Sequence, residues 1–149
     1  MTFLFQPFEA LSAQALYQIL DLRNKVFVVE QQCIYLDTDY KDHDALHMSG
    51  WSIQGDLLCY CRILAPGISF EKSSSLGRII TAPETRGTGL GKKMVDEAIR
   101  KTLELYPAIP IQIEAQSYLL RFYQNFGFNP IGKEYLLDGI PHHEMVLNP

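Results

Sequence analysis

One stretch of the sequence, ETRGTGLGKKM at residues 84–94, combines glycines with positive charge and is called the glycine loop below. It places three glycines within five positions and then opens a segment of helical periodicity with Lys92 and Lys93. Helix starts usually carry Asp or Glu, because free amide groups and the helix dipole make that end positive. Each lysine there costs about 0.3–1 kcal/mol unless an anion is bound, so the stretch predicts an anion site.

Two common phosphate-loop patterns fail on the glycine loop, and a third fits. A P-loop needs GxxxxGK followed by Ser or Thr, and a dinucleotide loop needs GxGxxG. Counted from Gly87, Lys92 stands where each pattern requires its last glycine. The pattern R/Q-x-x-G-x-G/A, in contrast, matches at Arg86, Gly89 and Gly91.

Backbone amides of the glycine loop are expected to supply most of the anion contacts. Small residues let the backbone approach a pyrophosphate, and amides at a helix start have no partner within the helix. Arg86 and Lys92 add fixed positive charge. A glycine-rich turn before a solvated helix face is the alternative interpretation. The residues expected to bind the anion are Arg86, Gly87, Thr88, Gly89, Leu90, Gly91 and Lys92.

Helical and strand patterns surround the loop and indicate the fold class. Ser12 can cap a helix that runs to about Val29, and the segment after the glycine loop keeps an apolar face until Pro107. Ser117 can cap a short helix that ends at Gly127. Strands are predicted at 47–53, 57–65, 76–82, 109–115, 133–137 and 142–147. This order predicts a mixed α/β (α+β) fold.

Composition limits the class of protein. The chain has 149 residues, 47% apolar and 20% charged, which is typical of one soluble globular domain spanning residues 1–149. Its net charge of -4 argues against nucleic-acid binding. It has no signal-peptide pattern and no run of about 18 apolar residues, so we expect a cytoplasmic protein without a membrane span. Cys33, Cys59 and Cys61 contain no CxxC pair, so we expect reduced thiols and no metal site.

The glycine loop resembles the coenzyme A-binding motif of the GNAT superfamily, the acyl-CoA-dependent N-acyltransferases. In that family, R/Q-x-x-G-x-G/A binds the pyrophosphate of the coenzyme. A second match, QSYLLRFYQNFGF at 116–128, is similar to the family's NxxAxx(L/F)YxxxGF stretch, with Tyr123 and Gly127 in register. Gln116 and Leu119 stand where Asn and Ala are common. The resemblance implies that Gln116 makes a polar contact to the cofactor.

A closer resemblance, over nearly the whole chain, is to the ElaA-like branch of this superfamily. The segments that carry it are LRNKVFVVEQ (22–31), YLDTD (35–39), GRIIT (77–81) and DGIPHHEM (138–145). It implies one GNAT-fold domain with a mixed, largely antiparallel sheet, flanked by helices and splayed between the strands at 76–82 and 111–115. It also implies acetyl-CoA as the acyl donor, held by backbone groups of Ile79, Ile80 and Thr81.

Transfer of an acyl group from a thioester to an amine leaves a thiolate that must be protonated or stabilised. Tyr123 matches the family position that often serves this thiolate, and a phenol can donate or accept a proton. Leu119, Phe122 and Phe126 share its helical spacing, so a purely buried aromatic is the alternative. We expect a catalytic role, because general-acid catalysis contributes about 10²–10⁴-fold.

The incoming amine must lose a proton, because an amine like that of lysine has a pKa of about 10.4. Glu114, on a strand expected to line the splayed region, and Glu30, at the end of the first helix, are the first candidates for the base. Histidines titrate near neutrality as a residue type, so His47 and His142 are alternatives. Deprotonation through water is another.

The loop at 31–46 is polar and rich in acid, and its carboxylates are Asp37, Asp39, Asp42 and Asp44. We expect it to be solvated, with attraction of a cationic amine as the alternative. The expected acceptor is a small-molecule amine or a peptide N-terminus, used by a monomer or a homodimer. The rival function is a non-catalytic acyl-CoA-binding or regulatory module with the same fold.

Overall fold

A seven-stranded sheet forms the centre of the molecule in the computed structural model, which describes residues 1–149. Its strands are β1 Thr2–Pro7, β2 Ala45–Trp51, β3 Leu57–Leu64, β4 Ser74–Thr81, β5 Ile111–Gln116, β6 Asn129–Leu137 and β7 Ile140–Leu147. The spatial order is β1-β2-β3-β4-β5-β7-β6, and only the β4–β5 pair is parallel. The predicted mixed, largely antiparallel sheet is confirmed.

Three helices flank the sheet: α1 Ala13–Arg23, α2 Leu90–Leu105 and α3 Leu120–Gln124. The Ser12 hydroxyl caps α1 by accepting from the Ala15 amide at 3.1 Å, as predicted. A π-helical segment, Asn24–Glu30, continues α1 and widens its last turns. No helix combines the length and the apolar character that a bilayer span requires.

Each face of the sheet has its own apolar cluster, because side chains alternate along the strands. On the face that carries α2 and α3, Cys59, Cys61 and Ile63 of β3 pack with Met94 and Ala98 of α2. On the other face, the β3 and β4 side chains pack against α1; that cluster comprises Ile19, Leu22, Val26, Leu57, Tyr60, Ile80 and Ala82. The sheet is thus fixed from both sides.

The predicted splay between β4 and β5 is present, and it begins near the start of both strands. The two strands are paired only at Ser74–Ile111 and Ser75–Gln112, so the rest of each strand has no partner across the gap. On its other edge, β4 carries a bulge, because Arg78 and Ile79 lie opposite the single residue Cys61 of β3. Both irregularities release backbone groups of β4 from the sheet, which confirms the expected splay.

One strand was missed, and one local prediction was wrong. Strand β1 was not predicted, although its Phe3 and Phe5 pack on the core at the spacing of two that a strand requires. Ser117 does not cap a helix: its hydroxyl lies 3.2 Å from Nδ1 of His143, and a single 3-10 turn precedes α3. The backbone at Gly127, with φ +93°, ends the helical region as expected.

All three cysteines are free and buried. Burial raises the pKa of both Cys59 and Cys61 to about 12, so neither thiol is a ready nucleophile. No group of three or more His, Cys, Asp or Glu side chains is placed to hold a metal ion.

Candidate active site

A cavity of about 690 Å³ opens in the gap between β4 and β5. The π-helical segment, the loop after it and the turn between β6 and β7 form its other walls. It brings together eight of the residues predicted from sequence, namely Glu30, Ile79, Ile80, Thr81, Arg86, Glu114, Gln116 and Tyr123. The other predicted residues, 87–92, follow Arg86 along the glycine loop at the edge of the cavity.

The glycine loop exposes a run of backbone amides. Gly87 and Gly89 have φ of +77° and +83°, in the left-handed region that glycine adopts without steric cost. The earliest backbone bond of α2 to the loop runs from the Lys93 amide to the Gly89 carbonyl at 3.2 Å, which leaves the amides of residues 87–92 without a backbone acceptor. A Cβ atom at Gly87 or Gly89 would meet nothing within 4 Å, so the approach is open.

Side chains of the glycine loop differ in what they can offer. Leu90 is buried in the core, so only its backbone amide is available to a ligand. The Thr88 hydroxyl donates to the Thr85 carbonyl at 2.6 Å and helps to fix the turn. At Gly91, a Cβ atom would lie 3.6 Å from the Thr81 methyl group, so the loop and the end of β4 are close neighbours.

The positive charges of the loop are only partly neutralised. Arg86 makes a bidentate ion pair with Glu30, at 2.8 and 3.0 Å, and both side chains are 44% exposed. Lys92 and Lys93 are exposed and form no ion pair. A polyanion at this helix start would therefore meet two free lysines and an arginine that must exchange partners.

Backbone groups of β4 face the gap at the level of the bulge. Arg78 has φ +53°, a conformation rare for residues other than glycine, and with Ile79 it has no direct partner on β3. Ile80 and Thr81 resume the pairing, opposite Tyr60 and Cys59. The bulge thus leaves Arg78 and Ile79 without direct partners on β3, while the strand beyond it stays paired with β3.

Tyr123 lines the cavity from α3 and is 6% exposed. Burial raises the pKa of this phenol above its ordinary value of 10.0, and Cys61 and Tyr118 add to the shift. The phenol therefore keeps its proton at neutral pH and can donate it to a developing anion. Its packing against Phe122 and Phe128, with ring centroids 5.1 and 6.0 Å away, fixes the ring.

The candidate bases lie in different settings. Glu114 is exposed on the cavity side of β5 and forms no ion pair, whereas Glu30 is engaged by Arg86. His142 also lines the cavity; its Nδ1 lies 2.7 Å from the Ile140 carbonyl, which can only accept, so Nε2 carries the free lone pair. His47 is 1% exposed and does not line the cavity, which removes it as a candidate.

Gln116 stands where β5 ends, at the cavity edge nearest the glycine loop. Its amide donates to the Gln31 side chain at 3.1 Å, directly after Glu30 in sequence. This hydrogen bond joins β5 to the end of the π-helical segment across the cavity. A ligand that enters the gap can compete for the Gln116 amide, because a neutral side-chain pair contributes little net free energy.

The acidic loop is not solvated, contrary to the sequence-based expectation, because most of its carboxylates form ion pairs with arginines. We call this group the arginine–aspartate cluster; it comprises Arg23, Arg62, Arg78, Asp37, Asp39 and Asp42. Arg23 is fully buried and binds Asp37 and Asp42 at 2.7 Å each. Only Asp44 of the four predicted acids is exposed and unpaired.

Charge pairing dominates the pKa values of the cluster. Burial alone would raise the pKa of Asp39, but the hydrogen bond and charge of Arg62 outweigh it and lower the pKa to about 2. In the same way, burial opposes ionisation of Asp42, and Arg23 and Arg62 nevertheless lower its pKa. Both carboxylates therefore stay ionised at neutral pH and cannot serve as bases there.

Sequence reasoning missed several cavity residues, chiefly Lys41, Arg62, Ser69, Phe70 and Gly77. Arg62 carried a detectable signal, because it is the one charged residue in the apolar strand LLCYCRIL. Such a residue is almost never fully buried without a partner. Lys41 and Ser69 lie in loops and carried no such signal.

Comparisons with known proteins agree with this fold. The family described as Acetyltransferase (GNAT) domain matches residues 60–149. A UPF0039 protein of Synechocystis is 39% identical over 142 residues, which are 95% of this chain and 92% of that protein. Protein ElaA of Escherichia coli is 39% identical over 138 residues, 91% of this chain and 89% of its own. The crystal structure of Escherichia coli ElaA aligns over 99% of both chains at 34% identity, with a TM-score of 0.91. That of an acyl-CoA N-acyltransferase from Pseudomonas aeruginosa aligns over 99% of both chains at 32% identity, with a TM-score of 0.92.

Proposed function

Because the chain belongs to the GNAT acetyltransferase family, in its ElaA-like branch, we propose that it transfers an acetyl group from acetyl-CoA directly to a primary amine. The observation that carries the proposal is the run of free amides at 87–92, beside two unpaired lysines, at the mouth of the gap between β4 and β5. Such a run suits a pyrophosphate, and the gap suits an extended arm that leads inward.

Residues before the matched segment 60–149 also line the cavity, among them Phe27 and Lys41. The proposed catalytic domain therefore spans 1–149, as a monomer or a homodimer. The acceptor is a small-molecule amine or a peptide N-terminus. Three free thiols fit a cytoplasmic location, since disulfides are rare there.

In the proposed reaction, the acetyl-CoA substrate is held by the loop amides and by Arg86 and Lys92. Peptide groups of β4 from Ile79 to Thr81, which have no partner across the gap, bind the arm of the coenzyme and polarise the thioester carbonyl. Donors of this kind contribute about 10²–10³-fold to a rate. The amine nitrogen bonds to the acetyl carbon as the carbon–sulfur bond breaks. No covalent intermediate with the protein is required.

A protonated amine gives up two protons in this reaction, one before it attacks and one as the amide forms. Glu114 is the best placed carboxylate to accept the first, because it forms no ion pair and lines the cavity. Glu30 can act there only after Arg86 has moved to the coenzyme. Tyr123, which is protonated at neutral pH, donates its proton to the departing thiolate and is restored by the second amine proton, so that one proton is released overall.

The test is steady-state transfer by wild type and Tyr123→Phe, with a broad panel of primary amines. We expect Tyr123→Phe to lower kcat by about 100-fold or more, since a general acid contributes about 10²–10⁴-fold, and to leave the Kd for acetyl-CoA nearly unchanged. Tyr106→Phe is the matched control, because that tyrosine lies outside the cavity.

Two results would count against the proposal. An unchanged kcat in Tyr123→Phe would remove the role of the phenol. Binding of acetyl-CoA by wild type without transfer to any amine would favour the rival function, a non-catalytic acyl-CoA-binding or regulatory module. Longer acyl-CoA donors in the same assay test the assignment of acetyl.

A further inference from the structure

One end of the cavity is lined by cationic and hydroxyl side chains, and the Asp39 carboxylate beside them is paired with Arg62. Lys41 lies there at the start of the 3-10 turn Lys41–Asp44 before β2, and its Nζ donates to the Ser69 hydroxyl at 3.0 Å. Lys41 is half-buried and forms no ion pair with any carboxylate. An ammonium group carries three donors, so two of them have no protein acceptor.

The neighbouring arginine–aspartate cluster does not neutralise Lys41. It holds three arginines against three aspartates, so its formal charges cancel. Lys41 therefore adds one uncompensated positive charge to this end of the cavity. A half-buried cation is costly to leave unpaired, which favours an anionic ligand beside it.

Arg62 provides a second and independent sign of a missing acceptor. Its two terminal nitrogens bind Asp39 and Asp42, but its Nε is buried and has no hydrogen-bond partner. The residue is 3% exposed and lines the same cavity. Gly77 leaves the space beside this atom open, because a Cβ atom there would lie 3.5 Å from Arg62 Nε.

We propose that Lys41, Arg62 Nε and the Ser69 hydroxyl form a subsite for a compact anion, a carboxylate or a phosphonate-like group, on the amine that accepts the acyl group. The inference rests on the proposed function and narrows its acceptor to amines that also carry a negative charge. Glu114, which lies on the β5 wall and forms no ion pair, is left to receive the amine end. Diamines and uncharged alkylamines are poor substrates on this account.

Matched pairs of amines test the subsite by turnover. β-Alanine and propylamine share a three-carbon chain, and β-alanine carries a carboxylate in place of the terminal methyl group. 2-Aminoethylphosphonate distinguishes a phosphonate from a carboxylate. We expect wild type to favour an anionic member over propylamine by about 10- to 100-fold in kcat/KM, the value of a charge-assisted hydrogen bond or two. A preference for propylamine or for 1,3-diaminopropane would overturn the inference.

Two variants locate that preference. Lys41→Met removes the free charge and keeps the length of the side chain, and Gly77→Ala places a methyl group beside Arg62 Nε without a clash. Each should lower the ratio of kcat/KM for the anionic amine to that for propylamine by about 10-fold. Lys133→Met, at an exposed position outside the cavity, should leave the ratio unchanged. An unchanged ratio in both test variants would contradict the subsite.

A binding measurement separates this inference from the proposed function. The Arg62 Nε–H group gives its own signal in a ¹H–¹⁵N NMR spectrum, which can be followed while propionate, ethylphosphonate or propylamine is added. We expect the anions to shift it in wild type and to shift it much less in Lys41→Met. Anion binding without any acyl transfer would refute the proposed function alone; no shift with either anion would refute the subsite.

Discussion

The glycine loop and the arginine–aspartate cluster both concentrate charge, but they differ in whether that charge is paired within the protein. In the loop, the amides of 87–92 and two lysines stay unpaired and open to solvent. In the cluster, Arg23 is fully buried and both of its carboxylate partners lie at 2.7 Å. One region leaves its charge unpaired at the surface, and the other satisfies its charge within the fold.

Under the proposed function, this difference separates residues that bind the coenzyme from residues that stabilise the fold. A buried ion pair adds little net stability over apolar packing, but removal of one partner is costly because the other charge is stranded. The cluster therefore holds the loop at 31–44 as a rigid cavity wall. Unpaired backbone amides are tolerated in the glycine loop because water can accept their hydrogen bonds. Within this wall, the Lys41 ammonium and the Arg62 Nε–H group are the exceptions, because they retain donors without a protein acceptor.

Loss of Arg23 should give the largest effect. In Arg23→Met, Asp37 and Asp42 keep their negative charge in a buried setting, so we expect the free energy of unfolding to fall by about 3–5 kcal/mol. Urea denaturation measures it. Removal of the exposed Lys25–Asp21 pair by Lys25→Ala is the matched control and should leave the midpoint unchanged. Equal midpoints for the two variants would show that the cluster is no more structural than a surface pair.

Acid should weaken the cluster through His47. Its Nε2 lies 2.9 Å from the Asp42 carbonyl and must donate, so Nδ1 accepts from the Tyr60 hydroxyl at 2.8 Å. Burial lowers the pKa of His47 below its ordinary value of 6.5, although the Asp42 carbonyl and charge oppose the shift. The folded state thus takes up fewer protons, and stability that is complete above about pH 6.5 is lost as the pH falls below it.

Unfolding free energies at a series of pH values between about 7 and 5 measure this loss. His47→Gln keeps a donor and an acceptor but cannot be protonated, so its profile should be flatter than that of wild type. Asp39, with a pKa near 2, contributes only at more acidic pH. The exposed His43 provides the control, His43→Gln. A wild-type slope that survives in His47→Gln would assign the acid sensitivity to another group.

Glu30→Gln should give the smallest effect and sharpens the comparison at the loop. The Glu30–Arg86 pair is half exposed, so its worth is about 0–1 kcal/mol. Its removal frees Arg86 and should tighten acetyl-CoA binding by at most about fivefold in a calorimetric titration. Glu84→Gln, at the first residue of the loop and in no ion pair, should change the Kd less. Weaker binding in Glu30→Gln would mean that Glu30 orients the arginine rather than competing for it.

Local patterns were enough to predict much of the fold. Ser12 marked the start of α1, the apolar face after the glycine loop marked α2, and alternation marked most strands. The strand β6 was predicted to begin at residue 133 and instead begins at Asn129, because a register shift between Ile131 and Tyr135 breaks its alternation.

Long-range pairing was not predictable from local patterns. Asp37 binds arginines 14 and 41 positions away in the chain, so the buried state of the acidic loop depends on the finished fold. The ion pair between Glu30 and Arg86 spans 56 positions. The bulge at Arg78 is likewise a property of the β3–β4 register. Sequence motifs thus identified the exposed glycine loop, and only the structure revealed the buried arginine–aspartate cluster.

The most direct test of the account is a calorimetric titration of acetyl-CoA into wild type and into the double variant Arg86→Ala, Lys92→Ala. We expect wild type to bind and the variant to bind about 10-fold or more weakly, because two charge-assisted contacts to the pyrophosphate are lost. Arg100→Ala with Lys101→Ala, in the later turns of α2, should bind like wild type. No binding by wild type, or equal binding by the loop variant, would contradict the claim that the glycine loop holds the coenzyme.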